Sequence, residues 1–490
     1  MSLSSWLRSL FSDPNHGVAT WGKFVIPRDR ENYHFMACGA TGAGKSSLLR
    51  ILMRSVLPQI KDRHLDVRSV IFDAKSEAFP DLASLGLQDD TLILNPFDAR
   101  CTAWDMGRDI TDEGQAQELA AVMVPQAEGG TNKYFYDATR LLLKTAAHAL
   151  MVLRGTDWSF RDLLLACANV ADLKGLANRA GLAGLESVED FFAKTRDARS
   201  VRMTLTVENS AYSVIAAAWE RARSAGRAFS IRDWVANTGP QVLVLGASKQ
   251  SRTALATINR LVLQRVQQLT LDYPGANAKS GRRTWVFLDE FPALGAIPNL
   301  EEFLTEGRSR GVCVVLGFQH IAHVRKFYGD MANALVGQCL HQAYFRANDG
   351  EAAKWCASHF GLLITLEDDP GLPMHIKKQS PGATENDFLG LPEATERDGF
   401  ECIVRSSKAV LPAGPLRIRV PPSDDLAAVS FSSNDPETAR FKEWGTKLEL
   451  KPWTAEERAK LELPEHQQKS EQVPLPVNDA PNLIPSSQVN

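Results

Sequence analysis

The run Gly39-Ala40-Thr41-Gly42-Ala43-Gly44-Lys45-Ser46 constrains this chain more than any other stretch. Its glycines free the backbone to curl, so that successive N–H groups can face an anion with no Cβ in the way. The flanks suit that curl. Tyr33 to Cys38 reads as a brief extended run, and Ser46 to Leu57 reads as a helix. Leu49, Leu52, Met53 and Val56 share one helix face, and Pro58 stands just past its end. Strand, glycine loop and helix together supply the context that G-x-x-x-x-G-K-[ST] requires. The pattern predicts a phosphate cradle formed by Gly39, Thr41, Gly42, Ala43, Gly44 and Ser47, with ATP and Mg²⁺ as its ligands. Lys45 would reach the β/γ oxygens, the Ser46 hydroxyl would complete the Mg²⁺ shell, and the helix N-terminus would favour the anion.

Further apolar runs lie at Val67 to Asp73, Thr91 to Asn95, Val242 to Leu245, Trp285 to Leu288, Val312 to Leu316 and Gln342 to Phe345. Continuous apolar runs suit strands buried on both faces, so an α/β fold with a mostly parallel sheet is expected. Phe400 to Val404 and Leu416 to Val420 flank Pro412-Ala413-Gly414-Pro415, which predicts a terminal hairpin. Between Thr111 and Ala236 strand signal nearly vanishes. Lys133 to Leu153 shows helical spacing, and Trp158 to Leu163 and Phe229 to Trp234 both read as N-capped helix starts with Ser159 and Ser230 as caps.

At roughly 150 residues per domain, 490 residues predict about three domains, or two with an insertion and a tail. The expected division is an N-terminal segment 1–18, a first motor part 19–111 and an all-helical insertion 112–237. A second motor part 238–420 and a tail 421–490 follow, the tail largely disordered from about 465, where Pro, Ser, Glu and Gln accumulate. An apolar fraction of 44% and a charged fraction of 23% exclude a generally disordered or collagen-like chain. A net charge of −3 confines any nucleic-acid contact to a local feature such as a groove or pore.

Seven scattered cysteines with no C-x-x-C pair argue against a disulfide framework and suit a reducing, cytoplasmic setting. Cys339 and His341 read as strand residues and not as metal ligands. No stretch approaches the roughly 20 apolar residues of a membrane span, and Met1 to Gly17 lacks the features of a secretory leader.

The remaining chemistry lies at strand ends. Trp285-Val286-Phe287-Leu288-Asp289-Glu290 is an apolar strand ending in two acids. Beside a P-loop, Asp289 can hold Mg²⁺ through water, and Glu290 can act as general base on the attacking water. Gln319, after Val312 to Phe318, can hydrogen-bond the γ-phosphate or the lytic water. Arg308, in the turn Gly307-Arg308-Ser309-Arg310-Gly311, can supply a guanidinium to a neighbouring subunit's site, with solvation or a phosphate-backbone contact as the competing readings. Arg346 is a weaker candidate for the same duty. Asp73 and Lys75 close the second strand, where either a supporting role or a local salt bridge is expected.

In the order and spacing of these motifs, from about Trp21 to Val420, the chain resembles the coupling ATPases of conjugation and type IV secretion, TraG/TraD-type proteins within the wider class of ring-forming DNA pumps. The resemblance rests on the P-loop, Leu288-Asp289-Glu290-Phe291-Pro292, Glu306-Gly307-Arg308, Gly317-Phe318-Gln319, Tyr344-Phe345-Arg346 and the helical insertion. It implies a RecA-like P-loop NTPase core and a homo-hexameric ring with ATP between subunits. The helical domain would lie at the cytoplasmic mouth, near incoming DNA of unspecified strand type. It also implies ATP chemistry for Lys45, Ser46, Asp289, Glu290, Arg308 and Gln319. Members of that family usually begin with two transmembrane helices, and no such pair is present here. Recruitment to the inner membrane by a separate membrane or secretion-channel partner, or DNA work outside secretion such as processing or defence, are the corresponding expectations.

Two functions compete within this reading. One is an ATP-driven DNA translocase. The other is a nucleotide-switched platform that recruits relaxosome or effector proteins, against which the intact general-base position Glu290 argues. A P-loop kinase or small-molecule ATPase fits less well, because such enzymes lack the Arg308 and Gln319 arrangement.

Overall fold

A computed structural model describes residues 17–75, 77–124, 132–182, 201, 203–206, 210–236, 239–248, 251–368, 375–406, 416–422 and 448–463. The expected N-terminal segment, the Pro412–Pro415 turn and the tail beyond 463 therefore lie wholly or mostly outside the described residues.

Nine strands form the main sheet: β1 Phe35–Cys38, β2 Val67–Asp73, β3 Thr91–Ile93, β4 Val242–Gly246, β5 Arg283–Leu288, β6 Val312–Phe318, β7 His341–Tyr344, β8 Phe400–Arg405 and β9 Leu416–Val420. Their spatial order is β9-β8-β7-β1-β6-β5-β2-β4-β3. The first seven run parallel, and β8 and β9 close one edge as an antiparallel hairpin. Every residue of β1, β4, β5, β6 and β7 is buried, as expected of strands covered on both faces.

The register decides where the chemistry goes. Cys38 aligns with Phe318, Leu316 with Leu288, and Leu288 with Phe72. The loops that begin at Gly39, Gln319, Asp289 and Ala74 therefore leave the same edge of the sheet. Helix α1, Lys45–Val56, follows the glycine loop and buries Leu48, Leu49, Leu52, Met53 and Val56. At roughly 1.5–3 kcal/mol per buried apolar side chain, that face anchors the loop firmly to the core of Phe35, Trp285, Phe287 and Val315.

Residues 112–237 carry the helices α2 Glu113–Met123, α3 Asn132–Arg154, α4 Phe160–Ala168, α5 Val170–Arg179 and α6 Ser213–Ser224, and the short helix Ile231–Val235. Ser159 caps α4 in a reciprocal box with Asp162, and the Ser230 side chain accepts from the Asp233 amide. The stretch is not purely helical, since Ala228–Phe229 pairs in parallel with Ala103–Trp104. Two residues are too short a run to register as alternation, which is why the sequence reads there as helix and loop.

Buried polar groups fasten this stretch to the sheet. The Asp109 carboxylate accepts from Trp104 Nε1 at 2.7 Å, Ser230 Oγ at 2.7 Å, and the amides of Ile231 at 2.6 Å and Arg232 at 3.0 Å. It thus serves the positive end of helix Ile231–Val235. At the other end, Arg68 and Arg282, both fully buried, donate to the carbonyls of Trp234 and Val235 and pair with Asp66. The long helix α7, Arg252–Asp272, then follows β4.

An antiparallel hairpin, Leu362–Asp368 with His375–Pro381, was not expected from the sequence. The segment from Trp453 onward is a separate unit, in which Thr454 and Glu457 form the capping box of helix Ala455–Lys460. Among the described residues, no helix is long and apolar enough to cross a membrane.

Candidate active site

The glycine loop is shaped by three residues with positive φ, Gly39 at 152°, Gly42 at 75° and Gly44 at 104°. Two of them are also crowded. A Cβ on Gly39 would lie 2.5 Å from Phe345 Cβ, and one on Gly44 would lie 2.5 Å from Phe400 Cβ. The loop therefore packs against β7 and β8, and only glycine fits at both points. Further backbone bonds tie it down: Ala40 donates to the Arg346 carbonyl at 2.8 Å, and Ala394 donates to the Gly42 carbonyl at 3.1 Å.

Lys45 is buried, and its Nζ donates to the Gly39 and Ala40 carbonyls at 2.6 and 2.8 Å. Burial lowers its pKa, and the Asp289 carboxylate opposes that shift. The ammonium thus rests on its own loop, one side-chain swing from the cradle mouth.

Opposite stands the Asp289-Glu290 pair. Ser46 Oγ donates to Asp289 Oδ2 at 2.7 Å, so the first turn of α1 and the end of β5 meet directly. The close approach of β5 and β6 here depends on Gly317, where a Cβ would lie 2.2 Å from the Asp289 carbonyl oxygen. Gln319 spans the site: its Nε2 donates to Glu290 Oε2 at 2.9 Å, and its Oε1 accepts from Thr41 Oγ1 at 3.0 Å. Burial raises the Glu290 pKa, against the Gln319 bond and the Lys45 charge that lower it. A carboxylate held in that balance suits a general base.

The hydroxyl and carboxylate of Ser46 and Asp289 are hard oxygen donors side by side at the lip of a glycine cradle, which is the donor set Mg²⁺ prefers. The residues present therefore fit a metal–triphosphate. Lys75 joins them, its Nζ donating to Ser46 Oγ at 3.0 Å and standing 3.7 Å from Asp289 Oδ2. Asp73 instead accepts from the amides of Glu77 and Ala78 at 2.9 Å and shapes the turn after β2.

The structure thus gathers Gly39, Thr41, Gly42, Gly44, Lys45, Ser46, Asp289, Glu290 and Gln319, with Arg346 close behind the loop and paired to Glu393 at 2.7 Å. Arg308 is not among them. It precedes β6, whose seven residues span roughly 20 Å to Gln319 at the far end. There its Nη2 donates to the backbone carbonyl and Oε1 of Gln338, both at 3.0 Å, and its guanidinium lies 5.1 Å from the Tyr33 ring centroid. It cannot serve the site of its own chain. Phe345, Phe400 and Ala394, which brace the loop, carry no sequence signal of that duty. His341 is buried among the Ser406 hydroxyl and the Arg30 carbonyl, and no group of three or more His, Cys, Asp or Glu side chains placed to hold a metal ion occurs among the described residues.

Comparison with known proteins agrees with this geometry. Residues 18–365 match the family described as the type IV secretion-system coupling protein DNA-binding domain. The coupling protein TraD of Escherichia coli K12 is 27% identical over 361 residues, covering 72% of this chain and 47% of TraD. The chain thus spans about half the length of that relative. Among solved structures, the conjugative coupling protein TrwB in its unbound form superposes with a TM-score of 0.65 at 23% identity, covering 86% of this chain and 93% of that one. TrwB in complex with ADP and Mg²⁺ superposes with a TM-score of 0.64 at 23% identity, covering 86% and 92%. These likenesses establish the fold as a RecA-like P-loop NTPase core.

Proposed function

The chain belongs to the type IV secretion-system coupling protein family, and from that premise we propose that it is an ATP-driven DNA translocase working as a homo-hexameric ring. The observation that carries the reading is the contact of Ser46 with Asp289 at 2.7 Å, alongside Gln319 bridging Thr41 and Glu290. One loop binds phosphate, one strand end supplies a base, and the next strand end touches both.

TrwB complexes with ADP and Mg²⁺ and with a non-hydrolysable ATP analogue support the same ligands here. Lys45 leaves its loop carbonyls for the β/γ oxygens, and the amides of Gly39 to Ser47 hold the remaining phosphate oxygens. Ser46 and Asp289 would hold Mg²⁺, which when bound neutralises charge on those oxygens. Glu290 takes a proton from the attacking water, and Gln319 aligns that water and relays the state of the γ-phosphate to the loop. Arg308, which lies at the opposite end of β6 from its own chain's site, acts in this reading on the nucleotide of a neighbouring subunit, as a ring with ATP at its interfaces requires. Within the ring, the helical insertion 112–237 forms the face toward DNA, and DNA is held mainly through its phosphates, giving salt-sensitive binding with little sequence preference. Delivery to a secretion channel, through a membrane partner, is the cellular role this reading assigns.

The test is ATP turnover with single-stranded and duplex DNA, with oligomer mass followed in parallel. Stimulation by either DNA together with a hexameric mass supports the translocase. DNA-indifferent turnover by a monomer overturns it.

A further inference from the structure

We propose that Lys75 is a built-in counter-cation of the metal corner: its ammonium neutralises Asp289 beside Ser46, and magnesium entering with a nucleotide displaces it. The inference rests on the nucleotide reading above and adds a control element to that site. Three distances carry it. Lys75 Nζ is 3.0 Å from Ser46 Oγ and 3.7 Å from Asp289 Oδ2, and those two oxygens are 2.7 Å from each other. Lys45 does not fill this place, because its Nζ is turned to the Gly39 and Ala40 carbonyls.

An ion ligated by the Ser46 hydroxyl would lie about 2.1 Å from Oγ. The ammonium already lies against the two oxygens, Ser46 Oγ and Asp289 Oδ2, that such an ion would use, and two cations a few ångströms apart repel. Ammonium and ion therefore compete for the corner. The turn that presents Lys75 is fixed, since the Asp73 carboxylate accepts from the Glu77 and Ala78 amides. The side chain itself is 55% exposed and free to leave. Beside it, a cavity of about 50 Å³ is walled by Ser46, Arg50, Asp73, Glu77, Asp81 and Asp289, an acidic lining toward which the displaced ammonium can turn. Glu77 and Asp81 also pair with Arg50 on α1, at 2.7 and 2.8 Å, which links the Lys75 turn to the helix behind the cradle. With Lys75 in place, the bare corner holds Mg²⁺ poorly, and the metal enters with a nucleotide whose phosphates bring oxygens of their own.

The experiment titrates Mg²⁺ into the full chain in the presence of a fluorescent ADP and reads nucleotide binding. Lys75→Met is expected to lower the half-saturating Mg²⁺ concentration roughly two- to fivefold, the range for loss of an exposed charge pair. Lys75→Arg, which keeps the charge, is expected to hold the wild-type midpoint. An unchanged midpoint in Lys75→Met overturns the proposal. So does a raised one, which is the result if the ammonium instead grips phosphate. Failure of wild-type protein to bind the fluorescent ADP at any Mg²⁺ concentration overturns the nucleotide reading itself, and this proposal with it.

Discussion

Replacing Gln319 with leucine removes a side chain that bonds both the glycine loop and Glu290, at a similar volume. Two hydrogen bonds are lost. The bond to Thr41 at 3.0 Å is exposed and contributes about 0.5 kcal/mol, the low end for a neutral pair. The bond to the half-buried Glu290 carboxylate at 2.9 Å has a charged acceptor and contributes about 1.5–2.5 kcal/mol. Together they give about 2–3 kcal/mol of positioning, or roughly 30- to 150-fold in kcat at 1.36 kcal/mol per tenfold. Nucleotide affinity should change little, because Lys45, Ser46 and the loop amides are untouched. Steady-state ATP hydrolysis with a parallel nucleotide-binding titration separates the two effects. A variant that keeps wild-type kcat refutes the reasoning. So does one that loses binding and turnover in equal measure, since Gln319 would then serve the loop's shape and not the reaction.

Two further predictions use other parts of the molecule. Asp109→Ala strands the buried donors of Trp104 and Ile231 and takes the carboxylate from the positive end of helix Ile231–Val235, although its Ser230 cap remains, so urea denaturation should show a loss of about 3–4 kcal/mol; a loss under 1 kcal/mol contradicts the proposed fastening. Arg308→Ala should leave nucleotide binding intact while lowering turnover by about 10³-fold, the scale of a trans-acting arginine. Mixing it with Lys45→Ala subunits should recover part of the turnover, because each variant supplies what the other lacks, and a mixture no better than its components counts against action across an interface.

Much of the site was legible because its parts are short local runs. The P-loop carries its own glycines and helix start, and Leu288-Asp289-Glu290 carries its own strand, so each announces chemistry without knowledge of the rest. Their meeting depends on a register, Leu316 against Leu288 and Phe318 against Cys38, that no local pattern encodes. The same limit explains Arg308. Chain order alone puts it before β6 and Gln319 after, but that the cradle and the acids gather at the Gln319 end follows only from the parallel register. The hairpin Leu362–Asp368 with His375–Pro381 escaped notice because its second strand, with two lysines and a single aliphatic residue, shows no apolar alternation. Phe400 and Ala394 were silent for a different reason. They act through the space that Gly44 leaves open and through a backbone amide, and neither role restricts the residue type that fills it.

The central claim is that the Gly39–Ser46 cradle and the Asp289-Glu290 acids form one ATP-hydrolysing site. It is tested most directly by ATP turnover of Lys45→Ala beside the wild-type chain, with circular dichroism confirming that both are folded. The account predicts DNA-stimulated hydrolysis in the wild type and none above background in the variant. Undiminished turnover in folded Lys45→Ala would contradict it.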